Sequence, residues 1–240
     1  MYNIDLANVK SIVADIVAKH NVENVAFVGC GASKAELYPA KYFLANCSKK
    51  LRVAHYTANE FNYDTPDWLG DTTVVITASL GGSTPETVKA NSVAKAAGAT
   101  VVSVTHAAGS ALTKEADYTI VHGFEANYAA KLEKMGYVLA LAVEILQQVE
   151  GFDKYDKMIE GVGHAGNVFL AAHGCQNVGS DLSIVRHSVF SFAFQVDELR
   201  FNPKQQARTT VFTKFVKEKT LTAHGIRRRA AKVMPRWIAG

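Results

Sequence analysis

Val25-Ala26-Phe27-Val28-Gly29-Cys30-Gly31-Ala32-Ser33 runs four apolar residues without a polar break straight into a glycine-rich turn. A strand with one wet face alternates apolar and polar side chains, whereas an unbroken apolar run suits a strand covered on both faces, as in a parallel sheet. Upstream, Ile4, Leu6, Val9, Ile12, Val13 and Ile16 fall at helical spacing, which predicts an amphipathic helix ahead of the strand. Downstream, a helix is expected over Lys34–Cys47, with Pro39 predicting a kink inside it. Further strands are expected at Leu51–Tyr56, Thr73–Thr77, Thr100–Val104 and Tyr118–Val121. Helices are expected at Thr84–Ala97, stopping at Gly98, and at Ala130–Val149, where Leu132, Met135, Leu139, Val143 and Leu146 share a face. Strands separated by helices require crossover connections, so the pattern predicts a doubly wound, three-layer α/β/α sandwich on a five-stranded parallel sheet.

In such a sheet ligands sit beyond the carboxyl ends of the strands. Two loops occupy that position. Gly29–Ser33 offers close backbone approach and a hydroxyl at a helix start, but it is not a dinucleotide fingerprint. The third glycine would fall at Lys34, and no acidic residue ends the second strand. Ser79-Leu80-Gly81-Gly82-Ser83-Thr84-Pro85-Glu86-Thr87 is more specific. Thr84 stands at a capping position and Pro85 fits the first helical position. Ser79, Ser83 and Thr84 supply hydroxyls, and Gly81 and Gly82 leave amides open, so an oxyanion would meet hydroxyls, amides and the positive end of a helix together. A plain capped helix would need only Thr84 and one glycine, fewer polar groups than this loop carries.

Composition bounds the alternatives. The chain has 240 residues, 48% of them hydrophobic and 20% charged, with a formal charge of +4. Residues 1–150 carry 12 Lys and Arg against 15 Asp and Glu, and residues 151–240 carry 14 against 7. The basic excess therefore belongs to the second part, densest at Arg227-Arg228-Arg229-Ala230-Ala231-Lys232. No aromatic platform or nucleic-acid motif accompanies that cluster, which reads as a solvated basic end. Cys30, Cys47 and Cys175 are too scattered for a disulfide framework or a metal set, so neither metal nor cofactor is expected. The opening residues lack a signal-peptide layout and no apolar run is long enough to cross a bilayer, which predicts a cytoplasmic protein without membrane partners.

The two loops, Val28-Gly29-Cys30-Gly31-Ala32-Ser33 and Thr77-Ala78-Ser79-Leu80-Gly81-Gly82-Ser83-Thr84-Pro85-Glu86-Thr87, resemble the paired signature of SIS (sugar isomerase) domains. Within that family the likeness is to fructosamine-6-phosphate deglycases, including the fructoselysine 6-phosphate enzymes, and more distantly to the isomerase half of glucosamine-6-phosphate synthase. Tyr38-Pro39-Ala40-Lys41-Tyr42, Ala58-Asn59-Glu60-Phe61 and Gly98-Ala99 extend it over about residues 20–150. The resemblance implies that Ser79, Ser83 and Thr84, with the amides of Leu80 and Gly82, hold a sugar phosphate. It implies that Cys30, Gly31 and Ser33 line the sugar. Gly81 stands where the family usually has serine or a longer polar residue. The implied partner is a phosphorylated sugar or a ketosamine 6-phosphate, cleaved in the parent family to hexose 6-phosphate and amine. The implied assembly is a homodimer or larger homo-oligomer.

Two-domain relatives carry a Glu/His segment resembling Ser-Gly-Glu-Phe-x-His-Gly-Pro, and no such segment occurs here. Asn59-Glu60-Phe61-Asn62-Tyr63 is a degenerate echo, with Glu60 as the one candidate catalytic carboxylate and Tyr63 where histidine would fall. Read for itself, Glu60 is a solvated loop carboxylate at a strand end. Residues 1–150 are therefore expected to form one SIS domain. Residues 151–240 are expected to be a truncated or altered second domain, with a strand pattern at Phe190–Val196, a helix over Val211–Lys219 and an unstructured basic end. Three functions remain: a deglycase, a catalytically incomplete phosphosugar-binding or sensing module, and an aldose-ketose sugar-phosphate isomerase.

Overall fold

The computed structural model describes residues 4–123 and 128–162, with side chains described from Glu133 onward in the second stretch. All of these lie within the unit Met1–Val196. The expectations for Phe190–Val196, Val211–Lys219 and Arg227–Gly240 fall outside the described residues.

Five strands, β1 (Asn24–Gly29), β2 (Arg52–Thr57), β3 (Thr73–Ala78), β4 (Thr100–Thr105) and β5 (Tyr118–Val121), form one all-parallel sheet in the order β2-β1-β3-β4-β5. The chain passes outward one way from β1 to β2 and the other way from β3 to β5. The crevice where the direction reverses therefore lies between the ends of β1 and β3. These two strands and β4 are buried at every position, as suits strands covered by helices on both faces.

Six helices cover the sheet: α1 (Leu6–Lys19), α2 (Gly31–Cys47), α3 (Ala58–Tyr63), α4 (Pro85–Ala96), α5 (Ala111–Lys114) and α6 (Tyr128–Glu150). α6 packs on α1 and α2, and α4 packs on α3 and α5, so the helices divide between the two faces. Ala26, Val28, Val75 and Val101 meet Ala58, Phe61, Ala90 and Ala94 in one continuous core on the α3–α4 face. α2 remains helical through Pro39. α4 ends as a Schellman motif, with Gly98 at φ +87°, its N–H on Lys95 O and the Ala99 N–H on Ala94 O. Only a residue that tolerates positive φ can make that turn without steric cost.

Two elements differ from the sequence reading. Ala58–Tyr63 is a helix rather than a loop, and Ala111–Lys114 adds a short helix between β4 and β5. The first has a local cause in a capping box. The Thr57 hydroxyl oxygen accepts from the Glu60 N–H at 3.2 Å, and Glu60 Oε2 accepts from the Thr57 N–H at 2.8 Å.

Candidate functional site

The two loops singled out in the sequence meet at the carboxyl ends of β1 and β3. Cys30 is the N-cap of α2 and Thr84 the N-cap of α4, and neither side chain makes a capping hydrogen bond. α1 and α3 differ, their first turns being capped by Asp5 and Thr57. An uncapped helix start keeps amide donors and the positive end of the backbone dipole available to an anion. The two open starts are neighbours, since the Thr87 hydroxyl in the first turn of α4 reaches Cys30 Sγ at 3.7 Å.

Thr84 departs from the role expected of it. It stands at the N-cap, but its hydroxyl pairs with Ser79 Oγ at 3.0 Å instead of closing on its own helix. Ser79 is buried, so its hydroxyl needs a partner, and Thr84 is within reach. The pair holds the two ends of the loop together and presents two hydroxyls side by side.

The loop backbone is fixed from β4 and α5. Leu80 O accepts from the His106 N–H at 3.1 Å and the Thr105 hydroxyl at 3.0 Å, and Gly82 O accepts from the Leu112 N–H at 2.9 Å. A trans peptide points its N–H opposite to its C=O. Anchoring these two carbonyls on the scaffold therefore turns the N–H groups of Gly81 and Ser83 away from it. Gly82 has φ +63°, and a Cβ there would come within 2.1 Å of Ser110 Oγ. Beneath the loop, Asn91 Nδ2 donates to Ser103 Oγ at 2.8 Å and to Leu112 O at 3.1 Å, and Ser103 Oγ pairs with Thr77 Oγ1 at 2.7 Å. This buried network ties β3, β4, α4 and α5 into one base for the loop.

The sugar-side candidates lie across from it. Gly31 and Ser33 occupy the first turn of α2, and Ser33 Oγ accepts from Lys134 Nζ at 2.9 Å. Lys134 is buried in α6 and pairs with Glu36 Oε2 at 2.5 Å. Among these buried polar groups is also His122, just past β5 and 1% exposed, whose two ring nitrogens have no hydrogen-bond partner among the described residues. Burial, followed by the charges of Lys134 and His106, lowers its pKa to about 4. The His106 and His122 rings lie 6.0 Å apart at the ends of β4 and β5.

Glu60 is exposed, with both its hydrogen bonds directed at Thr57 and Lys34 Nζ at 3.8 Å. The Thr57 N–H, then the Thr57 hydroxyl, hold its carboxyl below the usual glutamate range.

Sequence reasoning missed Lys134, Glu36, Asn91, Ser103 and His122. For Lys134 a signal existed: positions 134, 138, 141 and 145 form one row along α6, and Val138, Leu141 and Ile145 are buried and apolar. A lysine heading such a row is buried with a partner or misplaced.

Residues 20–143 match the SIS domain family model. The chain is 34% identical over 164 residues to the fructosamine deglycase FrlB of Bacillus subtilis strain 168, covering 68% of this chain and 50% of that protein. It is 34% identical over 116 residues to the fructoselysine 6-phosphate deglycase of Escherichia coli K12, covering 48% of this chain and 34% of that one. A crystal structure from Salmonella typhimurium LT2, of a protein assigned as a phosphosugar isomerase, superposes with a TM-score of 0.65 at 39% identity. That alignment covers 70% of this chain and 51% of the other. The chain thus spans about half the length of FrlB. No helix among the described residues is long and apolar enough to cross a membrane.

Proposed function

The chain belongs to the SIS domain family, and from that membership we propose that it binds a phosphorylated sugar of the ketosamine 6-phosphate class at the joined starts of α2 and α4. The observation that carries this reading is the pair of uncapped helix starts brought together at Cys30 and Thr87, with the Ser79–Thr84 hydroxyl pair beside them. The phosphate meets the hydroxyls of Ser79, Ser83 and Thr84 and the loop amides, Leu80 and Gly82 included. The sugar extends toward Cys30, Gly31 and Ser33. Similarity to the two deglycases supports a ketosamine 6-phosphate over other phosphosugars.

Removing both hydroxyls tests the phosphate assignment. Ser79→Ala with Thr84→Ala is expected to weaken phosphosugar binding by at least tenfold, and each change alone by about fivefold, the worth of one hydrogen bond. Titration calorimetry reads both. An unaltered affinity in the double variant removes the loop from the site.

Binding without robust turnover is the second part of the proposal. Proton transfer beside a sugar carbonyl needs a base whose pKa lies near the working pH. Glu60 is displaced in the opposite direction and its carboxylate closes the start of α3. Glutamine can occupy the same place in a capping box, so Glu60→Gln is expected to fold normally and to bind fructose 6-phosphate with affinity unchanged within about twofold. Release of hexose 6-phosphate from a fructosamine 6-phosphate by this chain, abolished in that variant, would make Glu60 the catalytic base.

A further inference from the structure

Opposite the phosphate loop, a buried ammonium links the start of α2 to α6. Lys134 is 1% exposed, with Nζ 2.5 Å from Glu36 Oε2 and 2.9 Å from Ser33 Oγ. Ser33 and Glu36 lie one helical turn apart on α2 and so present the two acceptors to one cation. An ammonium has donors only, and the Ser33 oxygen must therefore accept from it. The serine's own O–H is then left to donate in another direction.

The apolar row along α6 does not call for a charge at this position. Val138, Leu141 and Ile145 continue the row that Lys134 heads, and an apolar side chain would fill its place without the desolvation cost of an ion pair. What an apolar residue could not do is fix the polarity of Ser33.

We propose that Lys134 is a positioning residue: paired with Glu36, it engages one lone pair of Ser33 Oγ and so turns the serine's O–H away from itself, to donate toward the sugar. The proton so directed suits an acceptor, such as the carbonyl oxygen of the open-chain ketose phosphate. This rests on the phosphosugar reading and adds the donor polarity of the sugar side to it.

Calorimetry with inorganic phosphate and with fructose 6-phosphate separates the two. The variants are Ser33→Ala, Lys134→Met, Lys134→Met combined with Glu36→Gln so that no carboxylate is left unpaired, and Lys134→Met combined with Ser33→Ala. Each single change is expected to lower fructose 6-phosphate affinity about fivefold, and the Lys134/Ser33 combination no further, because both remove the same hydrogen bond. The Lys134/Glu36 pair should behave like Lys134→Met. Inorganic phosphate affinity should stay at the unmodified level in all four. Additive losses from Lys134→Met and Ser33→Ala, or a parallel loss of inorganic phosphate binding, assign Lys134 to structure alone and overturn the proposal. Failure of the unmodified chain to bind inorganic phosphate overturns the phosphosugar reading and the proposal with it.

Discussion

Gly82→Ala is expected to destabilise the chain by on the order of 3 kcal/mol and to lower phosphosugar affinity at least tenfold. Two costs combine. The residue sits at φ +63°, where an L side chain costs ~1–2 kcal/mol. The added Cβ also meets Ser110 at Oγ 2.1 Å and Cβ 2.5 Å, and Thr105 Oγ1 at 3.0 Å. Ser110 begins α5, and Thr105 holds Leu80 O, so relief of the clash moves the supports of the loop itself. Overpacking of this kind costs ~1–3 kcal/mol. Adding Ser110→Gly should recover the steric part and leave the conformational part. Urea unfolding of the two variants beside the unmodified chain reads both terms. Unmodified stability in Gly82→Ala would mean that the loop does not hold this conformation.

Acid is expected to cost the fold up to about 3 kcal/mol through His122 alone. Burial lowers its pKa from 6.5 to about 4, so the folded chain keeps the ring neutral in a range where the unfolded chain protonates it. The unfolded state then binds more protons between about pH 6.5 and 4. This contribution is therefore fully present above pH 6.5 and is lost as pH falls toward 4. His122→Leu removes the titration, and its stability should fall less steeply across that window. Parallel slopes for the two proteins would show that His122 is protonated as readily folded as unfolded.

The centre of the sheet was legible because β1, β3 and β4 bury both faces, and burial on both faces writes a largely apolar run into the sequence. Val25–Val28 and Thr73–Thr77 are of this kind, and both fall inside strands of the structure. The short helices were not, because Ala58–Tyr63 and Ala111–Lys114 are too brief for a helical period to emerge. Thr57 and Glu60, at capping-box spacing, were the available sign of the first. The phosphate-loop candidates were readable as a local motif, while the orientation of Thr84 depends on Ser79, whose burial only the fold determines. Lys134 and His122 escaped for a different reason. Lys134 meets Ser33 across 101 positions of sequence, and His122 follows an edge strand with no motif around it. Their chemistry comes from what the fold places against them, and local spacing carries no record of that.

The central claim is that the joined starts of α2 and α4 hold a phosphosugar, with its phosphate on the Ser79–Thr84 loop, and direct titration of the 240-residue chain with fructose 6-phosphate and with fructose tests it most directly. A dianion gains from amides, hydroxyls and helix ends that a neutral sugar cannot use in the same way. Fructose 6-phosphate is expected to bind with measurable heat and fructose to bind at least a hundredfold more weakly. Equal affinity for the two sugars would contradict the account.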